Sequence, residues 1–533
     1  MGPLRRRDLL VSGAALAVGC ATAAPPPLRG TLSGHEAARR GHARPTTGAA
    51  PADETVDVAI VGAGVSGLSA AWRLAREGFA GSVAWLELRD RIGGTAAAAS
   101  SPAGPHPLGA HYITLPNPEA KHVRLMLHEA GVIRGFDAEG RPRYAPRALC
   151  AAPQERLYVA GEWVEGLWPG VLADGQANAQ RASFEAKCEE LTWTKGADGR
   201  YVFAIPVALS SADPAFRRLA HVSFADWLDA QGYTAPVLRW QLRYACRDDF
   251  GTELEDTSAW AGLHYHCARR PDLSDDVDRG TRVLTWPGGN GWLVEHLASR
   301  VPWAPQLGSA VVALEPGAPT RLWVAGGGTV RRIDATHVVL AVPAPLVDRL
   351  LARAARPVAL GAAPWRVASL LVDRLPASRG IPAAWDSVLY RGEGLGYVTS
   401  SHQDLRYGAG AAVMSWYEPL STQPPEAGRR ALLASSWEEE ADRVMVELAQ
   451  AHPDLRERVQ QLDVHHWGHG TARPVVGLHE GPTLSLAAQG ADHVIVAHTD
   501  LSGMSLFEEA SWHGVRAAEQ ILVDRLGVVE SLL

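Results

Sequence analysis

The chain has 533 residues, 47% hydrophobic and 20% charged, with a formal net charge of −7. That length supports two sizeable cores. The acidic balance, without a broad basic block, argues against a nucleic-acid binder, and five cysteines at scattered spacing fit neither a disulfide scaffold nor a metal motif.

The first segment reads as targeting sequence. Met1–Arg7 holds three arginines, Leu9–Ala24 is mostly small and apolar, and Pro25-Pro26-Pro27 closes it. This is the n-region and h-region of an export signal, short for a membrane span. Arg6-Arg7-Asp8-Leu9-Leu10 reads as a twin-arginine signal, whose substrates cross folded, and predicts a bacterial periplasmic or cell-envelope location. Ala17-Val18-Gly19-Cys20 reads as a lipobox. Cys20 is then a candidate for lipid attachment and membrane anchoring; the alternative is an unmodified cysteine in a cleaved peptide. Residues 1–24 are assigned to the signal and 25–53, rich in Ala, Pro, Gly and Thr, to a flexible tether.

The next stretch carries the strongest pattern. Val58–Val61 is a short apolar run, and Gly62, Gly64 and Gly67 follow in G-x-G-x-x-G spacing. Leu68, Ala71, Trp72 and Ala75 recur on one helical face. A second strand over Val83–Leu88 carries Glu87, twenty residues beyond Gly67. This order predicts a dinucleotide-binding βαβ unit. Gly62 permits the turn, Gly64 lets a pyrophosphate approach, and Gly67 lets helix and strand pack. The helix N-terminus offers free N–H groups and partial positive charge. Glu87 accepts from a ribose 2′-OH and disfavours a 2′-phosphate.

With Arg91, Gly93 and Gly94, Glu87 completes an E-x-x-x-R-x-G-G string. It resembles the signature of the flavin-dependent amine oxidoreductase superfamily, which includes monoamine and polyamine oxidases, L-amino-acid oxidases, phytoene desaturases and protoporphyrinogen oxidase. The resemblance implies FAD, with Arg91 as charge support and Gly93 and Gly94 for close backbone approach; Thr95 stands where the family often has Arg. Trp286–Gly291, before a helix to Ala298, is similar to the family's P-x-G-G segment. Ala310–Leu314 and Leu322–Ala325 read as paired strands, and the resemblance puts Val311 or Val312 near the adenine. Val338–Ala341 is a further strand, stopped by Pro343 and Pro345. The likeness recurs in the strand His493–Ala497, in Asp500, which matches the acid that holds the ribityl chain, and in Phe507–Gly514. That last stretch matches the helix start covering the cofactor, although Glu508 and Glu509 replace its usual small residues. Cys150, Cys188, Cys246 and Cys267 lie outside the late region where some members attach flavin, so FAD is expected to be non-covalent.

The expected fold class is α/β: an FAD/NAD(P)-binding Rossmann-like domain with an interleaved α+β substrate domain containing a mixed sheet. The FAD domain is assigned to 54–130, 280–350 and 490–533, and the substrate domain to 131–279 and 351–489. Within the latter, helices are expected over Phe224–Gln231 and Leu238–Arg247, and strands over Val367–Val372 and Ala412–Trp416. A long helix is expected over Gly428–Ala451, with Leu433, Trp437, Glu440, Val444 and Leu448 at helical spacing.

The implied activity is oxidation of an amine by hydride transfer to flavin N5. Many family members place a Lys near N5, on a strand corresponding to Pro364–Leu370; this chain has no Lys after Lys195, and Arg366 is the nearest cation. The gap favours a dehydrogenase served by an electron-carrier protein or quinone. Trp467, within His465-His466-Trp467-Gly468-His469, is the best match for the aromatic that faces the flavin, and His498 follows the late strand. Arg366, Trp467 and His498 are therefore the candidate catalytic residues, against a plainer reading as core tryptophan and structural histidines; no metal site is assigned. Further aromatic–histidine clusters lie at Trp260–His266 and Trp512-His513. Asp248-Asp249, with Glu253, Glu255 and Asp256, either draws an amine to the cleft or forms a solvated capping network. The alternative functions are an FAD-dependent desaturase or isomerase of an apolar substrate, and a non-catalytic flavin-binding or assembly protein.

Overall fold

The computed structural model describes residues 27–35, 52–274, 283–353, 360–404, 410–479 and 483–533. The export-signal segment 1–24, with Cys20, lies outside the described residues. No helix among them is long and apolar enough to cross a membrane.

Glu54–Val61 (β1), Val65–Arg76 (α1) and Val83–Leu86 (β2) form the expected βαβ unit. β1 lies between β2 and Thr329–Leu340 (β3), parallel to both. Alternation sends Val58 and Ile60 of β1 into one core and Ala59 and Val61 into another, as a strand covered on both faces requires. The first half of β3 pairs antiparallel with Thr320–Gly326, which pairs in turn with Ala310–Glu315. Its last residues pair in parallel with Val494–Val496. One sheet thus gathers strands from three distant stretches.

A second, eight-stranded sheet is centred on Ala362–Val372 (β4), which is buried along its whole length. Ala412–Pro419 (β5) and Val459–Ala472 (β6) flank it antiparallel. Trp365 stands opposite Trp467, Val367 opposite Tyr417, and Arg366 opposite both Glu418 and His466. Because side chains alternate with period two, these pairings sort the residues onto two faces of the sheet.

Two expectations are corrected. The tether assigned to 25–53 is not free at Leu32–Ser33, which adds a parallel strand to the edge of β6. Thr31 donates to Asp463, and Ser33 Oγ lies 2.8 Å from His465 Nδ1. An unpaired strand edge offers backbone partners that composition does not reveal. The long helix over Gly428–Ala451 is two helices, Pro425–Ala434 and Trp437–Ala449. Ser436 interrupts it with a capping box: its hydroxyl accepts the Glu439 N–H and the Glu439 carboxylate accepts the Ser436 N–H.

Helices Pro236–Phe250 (α2) and Ala259–Cys267 (α3) pack with Gly175–Trp193 into a helical cluster with its own apolar core. The last helix, Phe507–Leu526 (α4), lies on α1. Gly514 makes the approach close: a Cβ there would fall 2.1 Å from the Ser66 carbonyl. Ser66 Oγ donates to the Ala510 carbonyl at 2.8 Å. The architecture is the expected α/β class, a Rossmann-like unit joined to a mixed sheet.

Candidate active site

The G-x-G-x-x-G turn has the geometry its spacing predicts. Gly62 has φ 102°, and a Cβ at Gly67 would lie 2.0 Å from the Gly62 carbonyl, so neither position takes a side chain. Gly64 differs: a Cβ there would meet only the Gly94 backbone, at 3.8 Å. The space over Gly64 is open on the protein side and bounded by the Gly93-Gly94 turn, where both residues have positive φ. The first turn of α1 carries no acid and no side-chain cap, so its N–H groups remain donors for an anion.

Glu87 ends this cradle. It is buried, with Oε2 accepting the Ala63 N–H at 2.7 Å and Oε1 the Arg89 N–H at 2.8 Å. Those two bonds fix the carboxylate at the tip of β2. Val312 is the residue of a bulge in its strand and packs with Trp323 against Leu88, the neighbour of Glu87. Arg91 points to solvent and pairs with Asp90 at 3.1 Å. Asp500 is buried and accepts the Ala344 N–H at 2.7 Å. Burial opposes its ionisation, but the adjacent His498, 3.3 Å away, and the Ala344 N–H hold it below the ordinary carboxylate range.

Beyond the cradle lies a cavity of about 150 Å³ between α2, β4, β5, β6 and the start of α4. Trp365, Tyr417, Trp467, Tyr112 and Phe507 supply its aromatic walls. The Trp467 indole N–H donates to the Leu108 carbonyl, and the Arg89 guanidinium lies 4.2 Å over its ring. A Cβ at Gly109 would fall 2.4 Å from the Thr95 carbonyl, so glycine is what lets these two wall segments meet.

Asp248, Asp249 and Glu508 give the cavity three carboxyls, and Arg269 is the one cation among its lining residues. Arg269 pairs with Asp249 at 3.2 Å. Asp248 has no hydrogen bond or ion pair among the described residues. Burial, aided by the neighbouring Asp249 charge, pushes it up to about 8. Burial also raises Asp249, against the pull of Arg269, and raises Glu508, which lies 3.4 Å from the Thr114 hydroxyl. His111, on the same wall, is pulled down to about 4 by burial.

The candidate catalytic residues separate. Trp467 lines the cavity, as expected. Arg366 does not: it lies on the opposite face of β4, where it pairs with Glu418 at 3.0 Å and Glu440 at 2.7 Å. The correction is one of parity, since Trp365 and Val367 take the cavity face. His498 is also outside the lining; it caps the turn Thr499–Leu501 beside Asp500. The histidine clusters are engaged structurally. His465 meets Ser33 and Arg89, His466 meets His35 at 2.6 Å, and His264 meets the Ala204 carbonyl. Glu509 is fixed by the Val207 N–H and the Ser502 hydroxyl.

Asp248 and Asp249 are not part of a solvated capping network. A signal was available: they occupy the last turn of α2, where a helix macrodipole disfavours carboxylates, so their placement needs another reason. Arg269 and Tyr112 carried no comparable mark.

Residues 60–130 match the model of the NAD(P)-binding Rossmann-like domain. No curated protein sequence matches the chain. Among solved structures, putrescine oxidase bound to putrescine superposes with a TM-score of 0.59 at 18% identity, covering 88% of this chain and 99% of its own. Cyclohexylamine oxidase from Brevibacterium oxydans IH-35A gives 0.61 at 17% identity, over 90% and 100%. A proposed protoporphyrinogen oxidase from Exiguobacterium sp. 255-15 gives 0.58 at 14%, over 89% and 100%. The chain therefore shares the fold of these oxidases.

Proposed function

We propose that the protein is an FAD-dependent oxidoreductase that oxidises an amine. The observation that carries this reading is the aromatic cavity with three carboxyls and a single arginine. Such a wall suits an amine: the aromatic faces hold its cationic form, and an ammonium beside the carboxyls would draw them back towards ionisation. The cradle fits a dinucleotide: Gly64 leaves room for a pyrophosphate, the first turn of α1 faces it with uncapped N–H groups, and Glu87 is aimed where a ribose would lie. Gly93, Gly94 and Asp500 would hold the middle of the molecule, and Phe507 and Trp467 would border its ring. We take the binding to be non-covalent, since no cysteine stands in the late region of the sequence. Bound FAD would supply a two-electron acceptor for the hydride on the carbon beside nitrogen.

The protein's own residues then have distinct tasks. Trp365, Tyr417 and Trp467 hold the substrate and exclude water. Asp249, neutralised by Arg269, positions; Asp248, without a hydrogen bond or ion pair among the described residues and held up to about 8, accepts the proton that an ammonium must lose to react once it is itself ionised, so turnover should rise with pH through that value. Neighbours of the same fold include two amine oxidases and a proposed protoporphyrinogen oxidase, so a desaturase is the competing reading. Anaerobic mixing with panels of amines and apolar lipids separates the two. We expect amines to bleach the flavin absorbance, and Asp248→Asn to raise the amine KM roughly tenfold, about 1.4 kcal/mol. Bleaching by lipids alone would overturn the amine reading.

A further inference from the structure

A second cavity, of about 330 Å³, lies against α2 and shares no lining residue with the first. Trp240, Arg243, Tyr244 and Arg247 recur on one face of the helix and form one wall. Tyr390 and Arg391, following the strand Asp386–Leu389, form the other. The Trp240 and Tyr390 rings lie 4.8 Å apart, tilted by 43°. The lining has three arginines and no acid.

The guanidinium groups are only partly used. Arg243 pairs with Glu253 through Nε and Nη2. Arg247 donates from Nε to Ser421 and from Nη2 to the Glu393 carbonyl, and lies 3.7 Å from Glu253. Nη1 of each has no hydrogen bond among the described residues. Arg391 is exposed and has no ion pair among them. The carboxylates acting on Arg247 are Glu253, Glu418 and Glu393. Glu418 is committed to Arg366, and Glu393 is exposed outside the lining. Positive charge is therefore left facing a cavity with an aromatic wall, where the first cavity presents carboxyls.

We infer that this second cavity binds a small aromatic carboxylate, its ring against Trp240 and Tyr390 and its carboxylate on Arg243, Arg247 and Arg391. Planar guanidinium forks suit carboxylates, and the volume suits a ligand of that size. The inference does not rest on the amine reading, because the two cavities select opposite charges.

Calorimetric titration of the full-length, FAD-loaded protein with phenylacetate tests it, with phenylacetamide and phenethylamine as neutral and cationic counterparts. Phenylacetate should bind, phenylacetamide roughly tenfold more weakly, and Arg391→Ala and Arg243→Ala should each weaken phenylacetate roughly tenfold. Arg391 is exposed, so its variant keeps the test valid if loss of the Glu253 pair unsettles Arg243→Ala. Absence of phenylacetate binding up to about 10 mM, unchanged affinity in both variants, or displacement by phenethylamine would overturn the inference. The last result would place the acid in the first cavity.

Discussion

Asp248 is doubly disfavoured as an anion, by the C-terminal end of α2 and by a cavity it shares with Asp249 and Glu508. Its carboxyl rises from an ordinary value of 3.8 to about 8 on folding. Between those values the folded protein keeps a proton that the unfolded chain has released, so stability falls as pH rises through this window. Asp248→Asn removes that penalty. Its gain over the parent should vanish near pH 4 and approach on the order of 5 kcal/mol above pH 8. Urea unfolding at about pH 5, 7 and 9 measures it, and an equal difference at all three would refute the assignment. Glu87 presents the opposite case, a residue whose placement followed from spacing alone. Glu87→Ala should weaken FAD binding by roughly 1.5–3 kcal/mol, read by equilibrium release of flavin; unchanged affinity in a folded variant would remove it from the cofactor site. Arg366 was misplaced by one position, because sequence order does not tell which face of a fully buried strand a side chain takes. Removing it should act on the fold: Arg366→Ala strands Glu418 and Glu440, costing roughly 3–5 kcal/mol, with little change in flavin affinity per folded molecule.

At the scale of elements, the strands and helices with a strong period were legible. The βαβ unit, β4 and α4 lie where their apolar patterns place them. What stayed hidden depended on partners far along the chain. Leu32–Ser33 becomes a strand only because β6 offers an edge. The break at Ser436 had a local signal in Ser436 and Glu439, but helical spacing continued across it and outweighed the cap. The contact of α1 with α4 was half legible: the resemblance set the start of α4 over the cofactor, but nothing marked α1 as the surface it packs on. Gly514 allows that contact, so Gly514→Val should force the helices apart. We expect a loss of at least 2 kcal/mol in stability, since no flexible side chain can yield to a Cβ set against the Ser66 backbone, together with faster flavin release. Thermal unfolding that matches the parent would show the interface to be looser than its geometry.

Across the whole molecule, the cradle comes from local runs near the two ends of the chain, whereas the cavity collects residues from both ends and the middle, which explains why the cradle was easier to read than the cavity. The cradle depends on glycines and an acid at fixed spacing. The cavity draws single residues from α2, β4, β5, β6, the start of α4 and the Tyr112 strand, with no common spacing. The sequence has no lysine after Lys195, and no lysine lines the cavity. The cation it does hold, Arg269, is spent on Asp249. Nothing in the lining therefore supplies a free ammonium to organise water or stabilise reduced oxygen beside the flavin ring. We expect a dehydrogenase: protein reduced anaerobically should reoxidise slowly with oxygen and faster with a quinone or a small electron-carrier protein, of the kind an envelope location would provide. Stopped-flow reoxidation measures this without the native substrate. The preference for a carrier fails if oxygen outpaces every acceptor and yields stoichiometric hydrogen peroxide, an outcome that would leave the cradle, the cavity and the amine reading in place.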